Sequence, residues 1–326
     1  MYNCRGYMVK ESSWDFDTSF SLLKGHFGDR IITGRPLSDL NTFGTGGTAS
    51  LFMEVKSGEE LARLVKVVAK LNIPIFMLGG GSNVLIADSG FDGLIIKNSI
   101  CGLEHDGNNI SCGAGEELQA LVDYATQCGL SGVEFATGIW GTVGGAVFGN
   151  AGAYGGEIGN VLISAEVVDR QGNRREEKVG YFEFSYRWSK LKVTGDFVTR
   201  VNFALKAGKK EEIQGRVDEI MTMRREKFPI GLNSAGCFFK NIPDKTQKFG
   251  KLSAGKLLED VGVKTLRCGD ARVFENHANI LINEGSAKSV DIRKLANLMK
   301  EKVRQKFGID LQEEVILLGN FEEDSL

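Results

Sequence analysis

The residues of this chain best suited to chemistry are two glycine clusters, an arginine among aromatics, a cysteine after a glycine, and a glutamate heading an apolar run. Nine glycines fall within the 22 residues Gly138–Gly159. A tighter cluster, Gly79-Gly80-Gly81-Ser82-Asn83, interrupts the apolar stretch around Ile75–Ala87. Glycine admits left-handed backbone and lets another molecule approach the chain closely. Successive N–H groups in such turns form nests that hold phosphate. Two such loops point to a long ligand with a diphosphate in its middle, a dinucleotide cofactor. The plainer readings are a hairpin turn at Gly79–Asn83 and tight packing of loops against a sheet in the longer block. A simple hairpin would not require five small or polar residues between two apolar strands.

The single residues each keep two readings. Arg187, in Tyr186-Arg187-Trp188-Ser189, is either a surface cation stacked on a ring or a guanidinium placed to grip a carboxylate. Cys237 follows Ser234-Ala235-Gly236 and precedes Phe238-Phe239-Lys240-Asn241. Its ordinary role is that of a buried structural thiol. Glu314, ahead of Val315–Leu318, is a solvent-facing strand end or a desolvated acid. Arg224–Pro229 reads as a charged helix end.

Other chemistries are excluded on pattern. Gly44-Thr45-Gly46-Gly47-Thr48-Ala49 fits G-x-G-x-x-A, but a strand-like run follows it, and no acidic residue stands at the required distance downstream. No P-loop occurs. The cysteines, Cys4, Cys101, Cys112, Cys128, Cys237 and Cys268, form no C-x-x-C and no zinc spacing, so no metal is expected. They read as free thiols in a reducing compartment. A net charge of −2 offers no global field for nucleic acid or membrane. No signal peptide and no membrane span is expected, which places the chain in the cytoplasm.

The elements that must position these residues follow from periodicity. Ser50–Val55 reads as a strand. Ser57 and Glu60 have capping-box spacing ahead of a helix carrying Leu61, Leu64, Val65 and Val68. Ile75–Leu78, Val84–Ala87 and Gly93–Lys97 are short strands around the first glycine cluster. Helices are expected over Glu116–Cys128, Glu211–Arg225, Leu252–Asp260 and Asp291–Phe307, the last with Ile292, Leu295, Leu298, Met299 and Val303 on one side. Ser164–Val168, Phe197–Leu205 and Glu314–Leu318 are further strands, and residues 1–40 are hard to place. With 326 residues, two or three domains are expected. The boundaries fall near Asn98 and Gly208, giving segments 1–98, 99–208 and 209–326. Strands and helices without regular alternation indicate an α+β fold.

Taken together, the segments resemble one family, the UDP-N-acetylenolpyruvoylglucosamine reductases. The resemblance is carried by Asn41-Thr42-Phe43 with Gly46-Gly47, by LGGGSNVL around Gly79–Asn83, and by the Gly138–Glu157 block. It continues through Tyr186-Arg187, RREKFP, SAGCFFKN, AGKLLEDVGVK, His277-Ala278-Asn279 with Ile282-Asn283, and LQEEVILLG. These keep the family's order over about residues 41–319. The short spacing from Arg187 to Cys237 looks like the type II members, which lack an inserted loop bearing a tyrosine.

The resemblance implies an FAD-binding unit of two α+β subdomains, of the p-cresol methylhydroxylase/vanillyl alcohol oxidase (PCMH/VAO) type, followed by an α+β substrate-binding domain. It implies that NADPH reduces FAD and that the flavin reduces the enolpyruvyl group of a UDP-sugar to UDP-N-acetylmuramate, a peptidoglycan precursor. Arg187 and Glu314 match the family's catalytic arginine and glutamate. Cys237 stands where a serine usually gives the proton to C2, and a thiol, with an unperturbed pKa of about 8.5, is a credible acid. Gly79, Gly80, Gly81, Ser82 and Asn83, with Gly138, Gly141, Thr142, Val143, Gly144 and Gly145, match the FAD-diphosphate loops. Lys227, Lys240, Asn241 and Arg224 match substrate contacts. Trp140, Trp188, Lys264-Thr265 and Arg267–Asp270 depart from the family pattern. An oxidase of the same superfamily and a binding protein without turnover are the rival readings.

Overall fold

The computed structural model describes residues 14–228, 231–247 and 250–321; Cys4 and Pro229 of the motifs above lie outside them. The chain gathers into two compact units, each assembled from three stretches. One comprises the residues up to Arg35, Ala49–Gly80 and Asp92–Met223; the other comprises Pro36–Thr48, Gly81–Phe91 and Arg224 onward.

The first unit opens with helix α1 (Phe16–Phe27), capped by Asp15, whose carboxylate accepts from Thr18 N at 3.3 Å. Helix α2 (Gly58–Val68) begins as the spacing requires: Ser57 Oγ accepts from Glu60 N at 3.1 Å. It buries Leu61, Ala62, Leu64, Val65 and Val68 on one face. That face joins Leu51, Met53, Leu94 and Ile96 of a four-stranded sheet. The sheet's order is Ile32–Pro36, Thr48–Val55, Phe91–Asn98, Ile75–Leu78. Its Ile75–Leu78 strand runs parallel to Phe91–Asn98, with Leu78 opposite Lys97.

A second, five-stranded sheet in the same unit is antiparallel throughout. Its order is Arg174–Lys178, Leu162–Val168, Phe197–Ala204, Asn109–Gly113, Leu103–Asp106. Helices α3 (Leu118–Gln127) and α4 (Val143–Gly149) share its core, which includes Leu121, Val122, Val147, Val201 and Phe203. The glycine-rich block therefore contains a short helix, which starts five residues into it. A four-residue helix, α5 (Leu191–Thr194), and the highly charged α6 (Lys210–Lys227) follow.

The second unit is built on an antiparallel three-stranded sheet, Arg267–Cys268, Ala271–Phe274 and His277–Asn283. It shares its core with helices α7 (Ala254–Asp260) and α8 (Ser289–Phe307). The carboxylate of Asp88 accepts from Ser289 N (2.9 Å) and Val290 N (3.1 Å), satisfying amides that the first turn of α8 leaves open. Gly308, at φ +68°, ends the helix. Helix α8 buries Ile292, Leu295, Ala296, Met299 and Val303. Leu298, expected on that face, is instead 48% exposed, because Ala296 takes the place beside the 292–295–299–303 stripe.

Strand Ile316–Leu318 pairs in parallel with Val84–Ile86. The two strands flanking Gly79–Asn83 thus belong to different sheets, and the glycine cluster is not a hairpin turn. The G-x-G-x-x-A match at Gly44–Ala49 runs into strand Thr48–Val55 rather than a helix, which is why no dinucleotide fingerprint forms there. Among the described residues no helix is long and apolar enough to cross a membrane, and all five described cysteines are free thiols.

Candidate functional site

In the first unit the two glycine turns meet. A Cβ on Gly80 would lie 2.8 Å from Gly141 Cα, and one on Gly79 would lie 2.5 Å from Thr142 Oγ1. Only hydrogen fits at either position. Thr142 is the N-cap of α4, its hydroxyl accepting from Gly145 N at 3.4 Å. Several amides of the loop point inward. Val143 N donates to Glu116 O (2.9 Å), Gly144 N to Ala114 O (2.8 Å) and Gly138 N to Gln119 Oε1 (2.7 Å). The loop is thus fastened to residues 114–119, which lead from strand Asn109–Gly113 into α3. Thr137 Oγ1, fully buried beside this turn, has no hydrogen-bond partner among the described residues. Such a hydroxyl costs about 1–3 kcal/mol unless a ligand reaches it. Trp140, on the same loop, is 43% exposed.

Arg187 stands in a tight turn closed by Trp188 N→Ser185 O at 3.0 Å and Ser185 N→Trp188 O at 3.2 Å. Its φ is +56°, a left-handed conformation that costs a non-glycine residue about 1–3 kcal/mol. Such strain persists only where surrounding bonds impose it. Here Asn150 Nδ2 donates to Ser185 O (3.0 Å), and Lys192 Nζ donates to Arg187 O (2.7 Å). The guanidinium donates from Nη1 to Gly152 O at 3.1 Å and lies 5.5 Å from the Tyr186 ring centroid. The aromatic neighbour expected for Arg187 is thus present, while the acceptor of its Nη1 is a backbone carbonyl rather than a carboxylate. The sequence reading missed Asn150. Its signal is an asparagine within a glycine run, at the left-handed C-cap of α4.

In the second unit, Cys237 and Glu314 lie on neighbouring segments. Glu314 N donates to Phe238 O (2.8 Å), Lys240 N donates to Gln312 O (2.9 Å), and Phe239 bridges Glu313. On the other side Cys237 bridges Ile280, and Phe238 N donates to Asn279 O at 2.8 Å. The buried Asn279 amide grips Phe239 at both backbone atoms, accepting from its N (2.9 Å) and donating to its O (2.8 Å). This residue too was missed as a positioning group. Cys237 packs against an apolar cluster of Phe274, Ile280 and Ile282 shared with Phe228.

The remaining expected residues of this unit are spread around that ladder. Asn83 Nδ2 donates to Glu314 O (3.2 Å), and Ile316 N donates to Asn83 O (3.0 Å), so the end of the Gly81–Asn83 turn is tied to the glutamate segment. Gly81, at φ +66°, has no room for a Cβ, which would sit 2.1 Å from Leu40 O. Beside it, Asn41 Oδ1, Thr42 Oγ1 and Thr45 Oγ1 are buried without a partner among the described residues. Asn241 directs its side-chain oxygen to Ala254 N (3.1 Å), at the start of α7. Arg224 lies 5.2 Å from the Phe228 ring centroid, and Lys227 is exposed at the end of α6. Ser82 and Lys240 are partly buried.

Glu313 anchors the ladder to α8. Its Oε1 accepts from Arg293 Nη1 (3.0 Å) and Lys300 Nζ (2.8 Å). Burial pushes this carboxyl up, but the Lys300 and Arg293 charges outweigh it and hold it below the usual carboxylate range. A lowered folded pKa adds stability above the unfolded value near 4.5, and that stability is lost as pH falls through the folded value. Glu313→Gln is therefore expected to lower stability by about 1–3 kcal/mol at pH 7. The gap from wild type should narrow in urea titrations as pH falls from the unfolded value near 4.5 through the lower folded value. A gap that does not narrow at all on acidification would show that the Glu313 charge contributes nothing to stability.

The cradle and the polar atoms around it fit a dinucleotide. Consistent with this, residues 49–176 match the FAD binding domain family, which makes the protein a flavoprotein. Residues 228–318 match the C-terminal domain of UDP-N-acetylenolpyruvoylglucosamine reductase. The UDP-N-acetylenolpyruvoylglucosamine reductase of Caldicellulosiruptor bescii is 39% identical over 93% of this chain and 95% of its own length. That of Clostridium novyi is 37% identical over 88% and 92%. The crystal structure of the Thermus caldophilus reductase (MurB) is similar with a TM-score of 0.74 and 35% identity, covering 89% of this chain and 98% of its own. The chain belongs to the UDP-N-acetylenolpyruvoylglucosamine reductase family, whose members are FAD-dependent oxidoreductases.

Proposed function

We infer that this protein reduces the enolpyruvyl group of UDP-N-acetylglucosamine-enolpyruvate to UDP-N-acetylmuramate, using NADPH and FAD, in peptidoglycan precursor synthesis. Residues 1–98 and 99–208 serve as the two cofactor-binding halves, and 209–326 carries the substrate. The observation that carries the reading is the ladder of residues 237–241 and 312–314, which puts a thiol and a carboxyl on adjoining segments of a chain from this family.

FAD, held by the glycine turns, would supply the hydride that C3 of the enolpyruvyl group needs. Charge then moves toward the substrate carboxylate, and the enolate-like state needs fixed donors aimed at it. Arg187 meets that need: its turn is held by Asn150 and Lys192, so its guanidinium is already oriented. Glu314 shares a proton with the enol form. Cys237, packed against Phe274, Ile280 and Ile282, donates the proton that C2 requires. Lys227, Lys240, Asn241 and Arg224 bind the UDP-sugar, the cations meeting its diphosphate. The glycine turns Gly79–Asn83 and Gly138–Gly145 receive the FAD diphosphate. The enzyme works in the cytoplasm.

The test is an absorbance assay at 340 nm with purified protein, FAD, NADPH and the enolpyruvyl UDP-sugar. NADPH consumption that depends on the sugar is expected. Oxygen consumption without the sugar would favour an oxidase. Tight flavin binding with no turnover would favour a binding protein.

A further inference from the structure

We propose that Lys97 is a cofactor-binding residue, its ammonium holding the dinucleotide's diphosphate from beneath the cradle formed by the two glycine turns. The assignment rests on the flavin reading of that cradle.

Register puts the amine there. Lys97 stands opposite Leu78 in the parallel pair, one residue before the glycine cluster begins. Its Nζ donates to Gly79 O, and among the described residues that carbonyl is the only hydrogen-bond or ion-pair partner of the amine. Gly79 is the residue whose missing Cβ leaves room for Thr142, and its neighbour Gly80 lies against Gly141. The ammonium is therefore fixed at the point where both turns converge.

Charge accounting supports an anion at this point. The amine is partly buried, and burial pushes its pKa down from the ordinary 10.5, while Glu54 and Cys101 act through space in the opposite direction. A partly buried cation whose only hydrogen-bond partner among the described residues is a carbonyl, with Glu54 acting at a distance, is costly unless a closer opposite charge completes it. A diphosphate carries negative charge that must be met in turn. On this cradle the amides of Val143 and Gly144 are engaged inside the fold and cannot meet it. An ammonium has three donors. One is engaged by Gly79 O, and two remain for phosphate oxygens. The sequence shows no sign of this role, since a lysine ending an apolar strand reads as a solvent-facing boundary.

Equilibrium titration of flavin-free protein with FAD and with riboflavin, which has no phosphate, tests the assignment. Lys97→Met is expected to weaken FAD binding at least tenfold and to change riboflavin binding less than threefold. Lys97→Arg should keep FAD affinity within about threefold of wild type. The flavin-free melting temperature of Lys97→Met should be no lower than that of wild type, because an unpaired cation has been removed. Equal loss of FAD and riboflavin binding, or unchanged FAD binding, would overturn the proposal. Lys97→Gln is the second neutral variant. Failure of both neutral variants to fold would assign the amine to the scaffold and equally overturn it. A wild-type protein that binds neither flavin would instead defeat the flavin reading on which the assignment stands.

Discussion

Cys237→Ala is expected to lower turnover of the enolpyruvyl substrate by about 10²–10⁴-fold, the range for removing a positioned general acid. Reduction of the bound flavin by NADPH should stay near the wild-type rate, because that half-reaction needs no proton at C2. Cys237→Ser should retain substantial activity, since a hydroxyl at the same backbone position can still donate. Both variants should fold. Cys237 lies at the edge of its apolar cluster and bridges Ile280 through the backbone, which no side-chain change at 237 removes. Stopped-flow traces of the two half-reactions give the answer. An alanine variant that turns over as fast as wild type would show that the proton comes from elsewhere.

Arg187→Met should cost a further class of function. Removing one preorganised donor from a developing negative charge is worth about 3–4 kcal/mol, or 10²–10³ in kcat. Lysine should rescue little of this, because an ammonium cannot reproduce the planar fork of donors. Arg187→Gly is the informative companion. It relieves the left-handed backbone at φ +56° and should raise thermal stability slightly while abolishing turnover. A strained residue whose replacement stabilises the protein and stops the reaction is held for chemistry. If Arg187→Met loses affinity for the substrate with kcat intact, the guanidinium only binds.

Much of this architecture can be read from local pattern. Ser57 and Glu60 announce α2, and the structure starts the helix one residue after Ser57. The strand Ile75–Leu78 is likewise evident from its apolar run between Pro74 and Gly79. Elements that lack a period are not evident. Helix α1 is not among these: Phe16, Phe20, Leu23 and Phe27 fall at helical spacing, a stripe that the reading of residues 1–40 passes over. Strand His277–Asn283 is buried along nearly its whole length, which hides the alternation that usually identifies a strand.

The candidate site divides in the same way. Cys237 and Glu314 stand out in the sequence as residue types, but their adjacency depends on Phe238 pairing with a segment about 75 positions away, and no local rule specifies that. The strain at Arg187 is equally silent, because its cause is Asn150 in another part of the chain. Lys97 is missed because its meaning comes from the partner strand rather than from its own neighbours.

The parallel pairing of Val84–Ile86 with Ile316–Leu318 also bears on how the protein is made. Asn83 meets its partner Glu314 only 231 positions later. At ribosomal elongation speeds of about 5–20 residues per second, that is a delay on the order of 10–50 s. Throughout it the edge of Val84–Ile86 lies open while the polypeptide is still tethered. Nascent chains should therefore engage holdase chaperones through this strand, and release from them should coincide with emergence of the final strand from the exit tunnel.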